Sequence, residues 1–91
     1  MPARVHIPSL LRHLYSTQPI EIVEASTVSE MAVGLEARFP GIRERLLEPD
    51  GRLRRYVEIF IDGEDARGMG EADAPIRPGA EIRIVPNVAG G

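Results

Sequence analysis

The sequence predicts an α+β fold in which a mixed sheet of about five strands packs on one main helix. Short runs of alternating polar and apolar residues lie at both ends of the chain, and a helical stripe of apolar residues lies between them. With 91 residues, 43% of them hydrophobic, the chain can bury one core but not two. We therefore expect one domain, residues 1–85, followed by a flexible C-terminal tail, residues 86–91.

The chain begins with a predicted antiparallel pair of strands. Polar and apolar residues alternate through residues 4–7, and Pro8 ends the run. The second strand, residues 20–24, is expected to turn Ile20 and Ile22 toward the core. The connection between the two strands is interpreted as a loop. Its large side chains are Leu10, Leu11, Leu14 and Tyr15.

The main helix has a recognisable start and stop. Thr27 and Glu30 form a capping box, in which each residue satisfies a backbone N–H of the first turn. Apolar residues then recur at helical spacing until Pro40-Gly41 ends the run. The stripe consists of Val28, Met31, Ala32, Leu35 and Phe39. A second, short helix is predicted over residues 42–47.

The third and fourth strands form a predicted hairpin. Alternation returns over residues 56–61, and the dipeptide Asp62-Gly63 suits a two-residue turn because both positions accept positive φ. A short strand over residues 64–67 follows. One face of the third strand carries Val57, Ile59 and Ile61, and the other face carries Tyr56, Glu58 and Phe60.

The last strand is predicted over residues 81–85, with Ile82 and Ile84 facing inward. Before it lie a glycine-rich loop that extends to Ala74 and a type II turn centred on Pro78-Gly79. This strand leads directly into the tail.

The order strand, strand, helix, strand, strand, strand fits the β-grasp, or ubiquitin-like, arrangement. In that arrangement the first and last strands run parallel at the centre of the sheet, connected through the helix. Pro86 then ends the last strand because it lacks an N–H donor. The tail is expected to leave from the middle of the sheet, beside the strand that carries Phe60.

The tail ends in Val88-Ala89-Gly90-Gly91. An α-carboxylate with a pKa of about 3.3 to 3.7 is ionised at neutral pH and is a poor electrophile, so it needs activation, for example by adenylyl transfer from ATP. Glycine suits the position because no Cβ crowds the reacting carbon. Residues 86–91, if extended, reach roughly 20 Å at about 3.3 Å each, which is enough to enter another protein's active site. The sequence therefore predicts Gly91 as the working position and Gly90 as its partner.

The amino-acid composition argues against several kinds of functional site and binding partner. The chain has no cysteine and no lysine, which excludes disulfides, a cysteine nucleophile and a P-loop lysine. A net charge of −3 gives no general attraction to nucleic acid or anionic lipid. No stretch approaches the roughly 20 apolar residues of a membrane span. We expect a monomeric, cytoplasmic protein with protein partners.

No metal site and no cofactor site is predicted in this chain. His6 and His13 lie in different elements without a ligand arrangement around them. If the function requires a nucleotide, we expect that nucleotide to bind a partner protein and not this chain. The predicted partner-binding surface combines an outward apolar patch with the start of the tail. Its residues are Tyr56, Phe60, Val85, Pro86, Val88 and Ala89.

With this tail and this element order, the sequence resembles the MoaD/ThiS family of ubiquitin-like sulfur carriers over nearly its whole length. The tail aside, the similarity is carried by Ile7-Pro8-Ser9-Leu10-Leu11-Arg12, Phe39-Pro40-Gly41-Ile42, Val57-Glu58-Ile59-Phe60-Ile61 and Ile82-Arg83-Ile84-Val85-Pro86. Residues 43–47, residues 64–67 and the Val-Ala-Gly-Gly ending most resemble the CysO branch, which serves cysteine synthesis.

The resemblance implies a carrier that is not itself an enzyme. An E1-like adenylating enzyme of the MoeB/ThiF type, using ATP and magnesium, would activate Gly91, and a sulfur donor would convert it to a thiocarboxylate. For the CysO branch the acceptor would be a pyridoxal-phosphate cysteine synthase holding O-phosphoserine. Other branches serve molybdopterin, thiazole or secondary-metabolite synthesis.

Two other functions stay open at this point. In a ubiquitin-like protein modifier, a substrate lysine would attack the activated Gly91, and the missing lysines oppose only chains of the protein on itself. In a non-catalytic β-grasp interaction module, the tail would be inert. Removal of Gly90 and Gly91 would spare the interaction module and abolish the other two functions.

Overall fold

The computed structural model describes residues 1–86. Its strands are β1 (Ala3–His6), β2 (Ile20–Val23), β3 (Val57–Ile61), β4 (Glu64–Asp65) and β5 (Glu81–Pro86). Its α-helices are α1 (Ser9–Tyr15), α2 (Val28–Arg38) and α3 (Ile42–Leu46). Short 3-10 turns follow β4 at Ala66–Gly68 and Glu71–Asp73.

The strands form a mixed sheet in the order β2-β1-β5-β3-β4. β1 and β5 are parallel neighbours at the centre, and the other neighbouring pairs are antiparallel. A parallel pair needs a long connection, and here that connection contains α2, which packs against one face of the sheet. This is the β-grasp arrangement, so the predicted fold class is confirmed.

The core lies between the sheet and α2. On the helix, the predicted stripe is buried at Val28, Met31, Ala32 and Leu35, while Phe39 is partly buried against it. The sheet contributes Val5, Ile59 and Ile82, which are fully buried. The inward orientation predicted for Ile82 and Ile84 is also observed.

The predicted capping residue at the start of α2 is in place. The Thr27 hydroxyl oxygen accepts a hydrogen bond from the Glu30 backbone N–H at 3.1 Å. The Glu30 carboxylate accepts a bond from the Ser26 N–H at 2.7 Å, one residue before the partner that a standard capping box would use. The first bond satisfies a backbone donor that the helix itself leaves free, and the second ties the residue before the cap to the first turn of the helix.

Replacement of Thr27 by alanine is expected to lower the free energy of unfolding by about 1 kcal/mol, because the N–H of Glu30 loses its acceptor. Thr17→Ala is the matched control. The Thr17 hydroxyl only donates to the neighbouring Gln18 carbonyl at an exposed site, so the change should stay within about 0.5 kcal/mol. Urea unfolding measures both variants, and equal losses would contradict a capping role for Thr27.

The prediction of a loop after β1 is wrong, because Ser9–Tyr15 forms the helix α1. Pro8 precedes the helix and supplies the carbonyl that accepts from the Arg12 N–H at 3.0 Å. Leu11 points into the core, whereas Leu10 and Leu14 stay exposed. The helix is therefore stabilised by one buried anchor, which is too little periodicity to show in the sequence.

The prediction that Ile20 and Ile22 of β2 face the core is also wrong. Ile20 is only half-buried and Ile22 is 48% exposed, while Glu21 and Val23 are buried. The register explains it: Glu21 lies opposite Val5, so both face the core side of the sheet. The Glu21 carboxylate is satisfied there by the Gln18 N–H at 2.7 Å and by Arg38 Nη1 at 3.0 Å.

The hairpin after β3 is confirmed, with φ of 48° at Asp62 and 88° at Gly63. The strand β3 begins at Val57 rather than Tyr56. The next strand, β4, is shorter than predicted and ends at Asp65, whose side chain accepts from the Arg67 N–H and starts a 3-10 turn. The expected loop to Ala74 likewise contains the turn Glu71–Asp73.

The turn before β5 fits the type II prediction, with φ of 77° at Gly79 and a hydrogen bond from the Ala80 N–H to the Arg77 carbonyl at 3.1 Å. The strand itself includes Pro86, which lies opposite Val57. Pro86 thus belongs to the sheet, although the sequence placed it in the tail. The predicted tail positions Val88, Ala89, Gly90 and Gly91 lie outside the described residues.

Candidate functional site at the end of the central strands

Three strand ends meet at one edge of the sheet. The parallel strands β1 and β5 both finish there, and the antiparallel β3 begins there. This geometry brings Pro8, Val57 and Pro86 to the same edge. β5 is a central strand, and its last residue, Pro86, lies opposite Val57 of β3.

The predicted apolar patch lies at or near this edge. Phe60 and Val85 share the sheet face opposite α2, since Phe60 pairs with Arg83 and Val85 pairs with Glu58. Val85 is 40% exposed and Phe60 is half-buried. Tyr56 precedes β3 and is 53% exposed. No described loop covers Val85 or Tyr56 fully, which leaves apolar surface beside the start of the tail.

Charged side chains flank this patch farther along the same face. Glu81 accepts from Arg4 Nε at 2.8 Å, and its other oxygen lies 2.6 Å from His6 Nε2. The hydrogen bond with His6, helped by the charge of Arg4, holds the pKa of Glu81 below its ordinary value of 4.5. Glu81 and Arg4 thus lie on the same sheet face as Phe60 and Val85.

An apolar groove opens on the other side of the same edge, between the sheet and the helices α1 and α3. Its volume is about 250 Å³. Arg45 of α3 also lines it and donates from Nε to the Tyr15 hydroxyl at 3.2 Å. The apolar lining comes from Pro8, Leu10, Leu11, Tyr56, Val57, Ile84 and Pro86.

The groove does not follow from the loop that the sequence pattern predicts over residues 8–15. Its wall exists only once α1 has formed. The signal available in the sequence was the Pro8-Ser9 step ahead of Leu10 and Leu11, since proline is tolerated at a helix start and serine there is common.

The helix that carries Arg45 is anchored by Glu36. One Glu36 oxygen accepts from the Gly41 N–H and the other from the Arg43 N–H, each at 2.9 Å. These two bonds lower the pKa of the Glu36 carboxyl below its ordinary value of 4.5, and the bond from Gly41 has the larger effect. Glu36 thus fixes the start of α3 and, through it, one wall of the groove.

Glu36→Gln is expected to destabilise the protein at neutral pH. A carboxyl group with a lowered pKa in the folded state contributes stability above its unfolded pKa near 4.5, and this contribution disappears as the pH falls through the folded pKa. The difference between parent and variant should therefore shrink below pH 4.5. Glu24→Gln, at an exposed position, is the control. A pH-independent difference, measured by urea unfolding, would contradict this role.

Within residues 1–86, no group of three or more His, Cys, Asp or Glu side chains is placed to hold a metal ion. The helices of this same region are all too short or too polar to cross a membrane.

Comparison with known proteins decides the family. The model of the ThiS family matches residues 5–91, nearly the whole chain. The chain belongs to the ThiS family. This confirms the resemblance on which the sequence interpretation relied, and the match includes the diglycine end.

The relatives of this ThiS-family chain include sulfur carriers. The sulfur carrier protein CysO of Mycobacterium tuberculosis (strain H37Rv) is 37% identical over 93 residues, which cover both chains completely. In the crystal structure of the Amycolatopsis orientalis BexX/CysO complex, the matched chain is 31% identical. It superposes with a TM-score of 0.88 over 98% of this chain and 99% of that one.

A more distant relative has a different name. Small archaeal modifier protein 3 of Haloferax volcanii is 29% identical over 66 residues, covering 72% of this chain and 71% of the relative. The ThiS-family chain is thus similar both to sulfur carriers and, less closely, to a protein modifier.

Proposed function

We propose that this protein is a sulfur carrier whose Gly91 alternates between a carboxylate and a thiocarboxylate. The observation that carries the proposal is the full-length match to CysO, at 37% identity and without uncovered residues on either side. The family match that extends to residue 91 supports the same position. The fold supports it too, because the strand that leads to the tail is central and tied to both neighbours.

The chemistry requires a partner enzyme. The ionised Gly91 carboxylate attacks the α-phosphorus of ATP and displaces pyrophosphate, which leaves an acyl adenylate. A sulfur nucleophile then replaces AMP, and the product is a thiocarboxylate. The carrier contributes the reacting group and its presentation, whereas ATP and magnesium bind the E1-like activating enzyme. In this proposal the chain holds no cofactor of its own.

The partner surface proposed for the activating enzyme is the apolar patch at Phe60 and Val85, with Tyr56 and Pro86 at the sheet edge. Exposed apolar area beside a reactive terminus favours a docking role. The tail positions Val88 and Ala89 would then follow the patch into the enzyme. The proposed setting is the cytoplasm, where ATP is available, and neither nucleic acid nor membrane takes part.

Within the family we propose the CysO branch, in which the sulfur acceptor is O-phosphoserine bound to a pyridoxal-phosphate cysteine synthase. The test is a single-turnover reaction of the sulfurated chain with such an enzyme and O-phosphoserine. The thiocarboxylate sulfur displaces phosphate from O-phosphoserine and leaves a cysteine acylated by Gly91. One cysteine per carrier is therefore expected, either still joined to Gly91 or freed from it by hydrolysis, and the unsulfurated chain is the control. Absence of cysteine from a sulfurated chain would contradict the branch and point to another acceptor, such as a thiazole, molybdopterin or secondary-metabolite synthase.

A protein-modifier function is the second candidate, favoured by the similarity to small archaeal modifier protein 3. The same adenylate would then react with a substrate lysine. Mass spectrometry of tryptic peptides from cells distinguishes the two functions, because conjugation leaves a remnant of this tail on lysine side chains. A sulfur carrier alone leaves none.

A further inference from the structure

One edge of the sheet is the strand β2, which has a neighbour on one side only. The Ile7 N–H donates to the Pro19 carbonyl at 2.9 Å, and hydrogen-bonded pairs alternate along the antiparallel ladder from there. The N–H and C=O groups of Ile20 and Ile22 therefore point away from β1. An edge of this kind is a template for another strand.

This edge is self-complementary. In the antiparallel arrangement of two copies centred on Glu21, Ile20 of each copy lies opposite Ile22 of the other, and each of these pairs can exchange both of its N–H···O bonds. The half-buried Ile20 then lies beside the Ile22 side chain, which is 48% exposed. Such cross-strand pairs of apolar side chains stabilise sheets. A second copy of β2 therefore fits the edge.

Arg38, at the end of α2, occupies an acceptor that this arrangement needs. Its Nη2 donates to the Ile22 carbonyl at 2.9 Å, and its Nη1 donates to Glu21 at 3.0 Å. The guanidinium carbon lies 5.7 Å from the centroid of the Phe39 ring, which adds a cation–π contact. Each pair of the two-copy arrangement uses an Ile22 carbonyl, so Arg38 has to leave before either pair can form both bonds.

Glu21 is the second obstacle to strand addition. It is 7% exposed and faces the core side of the sheet. At the centre of the two-copy arrangement the two Glu21 side chains are directly opposite, and like charges in that position destabilise strand pairing. Movement of Arg38 away from the edge also leaves the Glu21 carboxylate with only the Gln18 N–H, at 2.7 Å.

The other edge of the sheet has a comparable arginine. β4 pairs only with Phe60 and Ile61 of β3, so the start of β3 has no strand beside it there. The Val57 N–H points to that side, since it donates to the Arg54 carbonyl at 3.1 Å. Arg67 Nη2 donates to the Val57 carbonyl at 2.7 Å. At each edge, an arginine from outside the strand thus occupies an outward carbonyl.

We propose that the Glu21–Arg38 ion pair keeps the edge of β2 closed to a second copy of this chain. A part-buried ion pair contributes little to folding, because the desolvation of its charges offsets their attraction, and it can instead exclude competing arrangements. The pair therefore acts on association more than on folding. This inference goes beyond the sulfur-carrier function, since it concerns the folded domain and does not depend on the chemistry at Gly91.

The test is the double variant Glu21→Leu/Arg38→Met, in which both charges are replaced by apolar side chains of similar size. Sedimentation equilibrium should give a dimer dissociation constant at least about tenfold below that of the parent, because the Ile22 carbonyls are free and no carboxylates face each other. Urea unfolding of the dilute monomer should show no loss of stability. Gln18 is exposed, so its N–H can bond to water.

Amide hydrogen exchange locates the interface. The outward N–H groups of Ile20 and Ile22 become hydrogen-bonded in the dimer, so their exchange should slow as the protein concentration rises. Addition of Ile22→Lys to the double variant should restore the monomer, because an edge lysine opposes strand addition. The matched control is Glu48→Leu/Arg54→Met, which removes an ion pair of 2.7 Å outside β2 and should leave the oligomeric state unchanged.

The proposal is overturned if the double variant sediments as a monomer wherever the parent does, if it associates without slower exchange at Ile20 and Ile22, or if the parent dimerises equally well. Should the double variant not fold, Glu21→Gln/Arg38→Met takes its place, because glutamine keeps an acceptor for the Gln18 N–H. The same criteria then apply. Failure of both variants to fold would assign the pair to folding and would also overturn the proposal.

Discussion

Removal of Gly90 and Gly91 is expected to abolish adenylation without unfolding the protein. A chain that ends at Ala89 still has a carboxylate, but its reach falls by roughly 7 Å, at about 3.3 Å per residue. Its reacting carbon would also carry a Cβ beside it, which glycine avoids. The core lies within residues 1–86, so the free energy of unfolding should stay within about 0.5 kcal/mol of the parent.

The measurement is pyrophosphate release in the presence of the activating enzyme and ATP. The truncated chain should give the background rate of the enzyme without carrier. The matched control is Asn87→Ala, which keeps the length and the diglycine end and should be activated like the parent. A truncated chain that supported pyrophosphate release at the parental rate would contradict a working role for Gly91.

The largest expected effect on stability comes from Ile82→Ala. Ile82 is fully buried in the central strand β5 and lies opposite Val5 on one side and Ile61 on the other. Truncation of a buried isoleucine removes apolar burial and leaves a cavity, which costs about 2–5 kcal/mol. Domains of this size have a total stability of only about 5–15 kcal/mol, so the variant is expected to be close to unfolding at 37 °C.

Ile22→Ala is the matched control for Ile82→Ala, since the same atoms are removed from a side chain that is 48% exposed. Its effect should be within about 0.5 kcal/mol. Urea unfolding followed by circular dichroism compares the two. Equal losses would show that β2 and β5 are assigned to the wrong faces.

The parts of the fold that the sequence predicted are those in which local pattern and packing agree. The apolar stripe of α2 begins at a capping residue and ends at Pro40-Gly41, and the structure buries that stripe. The hairpin at Asp62-Gly63 depends on positive φ at two adjacent positions, which is a property of those residues themselves. Such elements need no knowledge of distant partners.

The errors concern features decided by distant contacts. Ile22 looked buried because it is apolar, but the register with β1 turns Glu21 inward, where Arg38 and the Gln18 N–H satisfy its carboxylate. Helix α1 depends on the burial of Leu11 against the rest of the core. Neither the register nor that contact can be obtained from periodicity in the segment itself.

The candidate site also has one part that the local sequence pattern predicts and one part that depends on distant contacts. The outward position of Phe60 and Val85 follows from strand alternation, so the patch was predictable. The groove was not, because its walls come from α1, α3 and the sheet edge, and Arg45 reaches it only after α3 has docked. The reacting end itself was identified from residue chemistry and from resemblance, and it lies beyond the described residues.

The function proposed for this chain depends on chemistry at its last residue, and intact-protein mass spectrometry tests that directly. The protein is incubated with a cognate activating enzyme, ATP and a sulfide source, and then weighed and digested. We predict a mass increase equal to the exchange of one oxygen for one sulfur, confined to the C-terminal peptide. An unchanged mass, under conditions in which the same enzyme sulfurates its established carrier, would contradict the account.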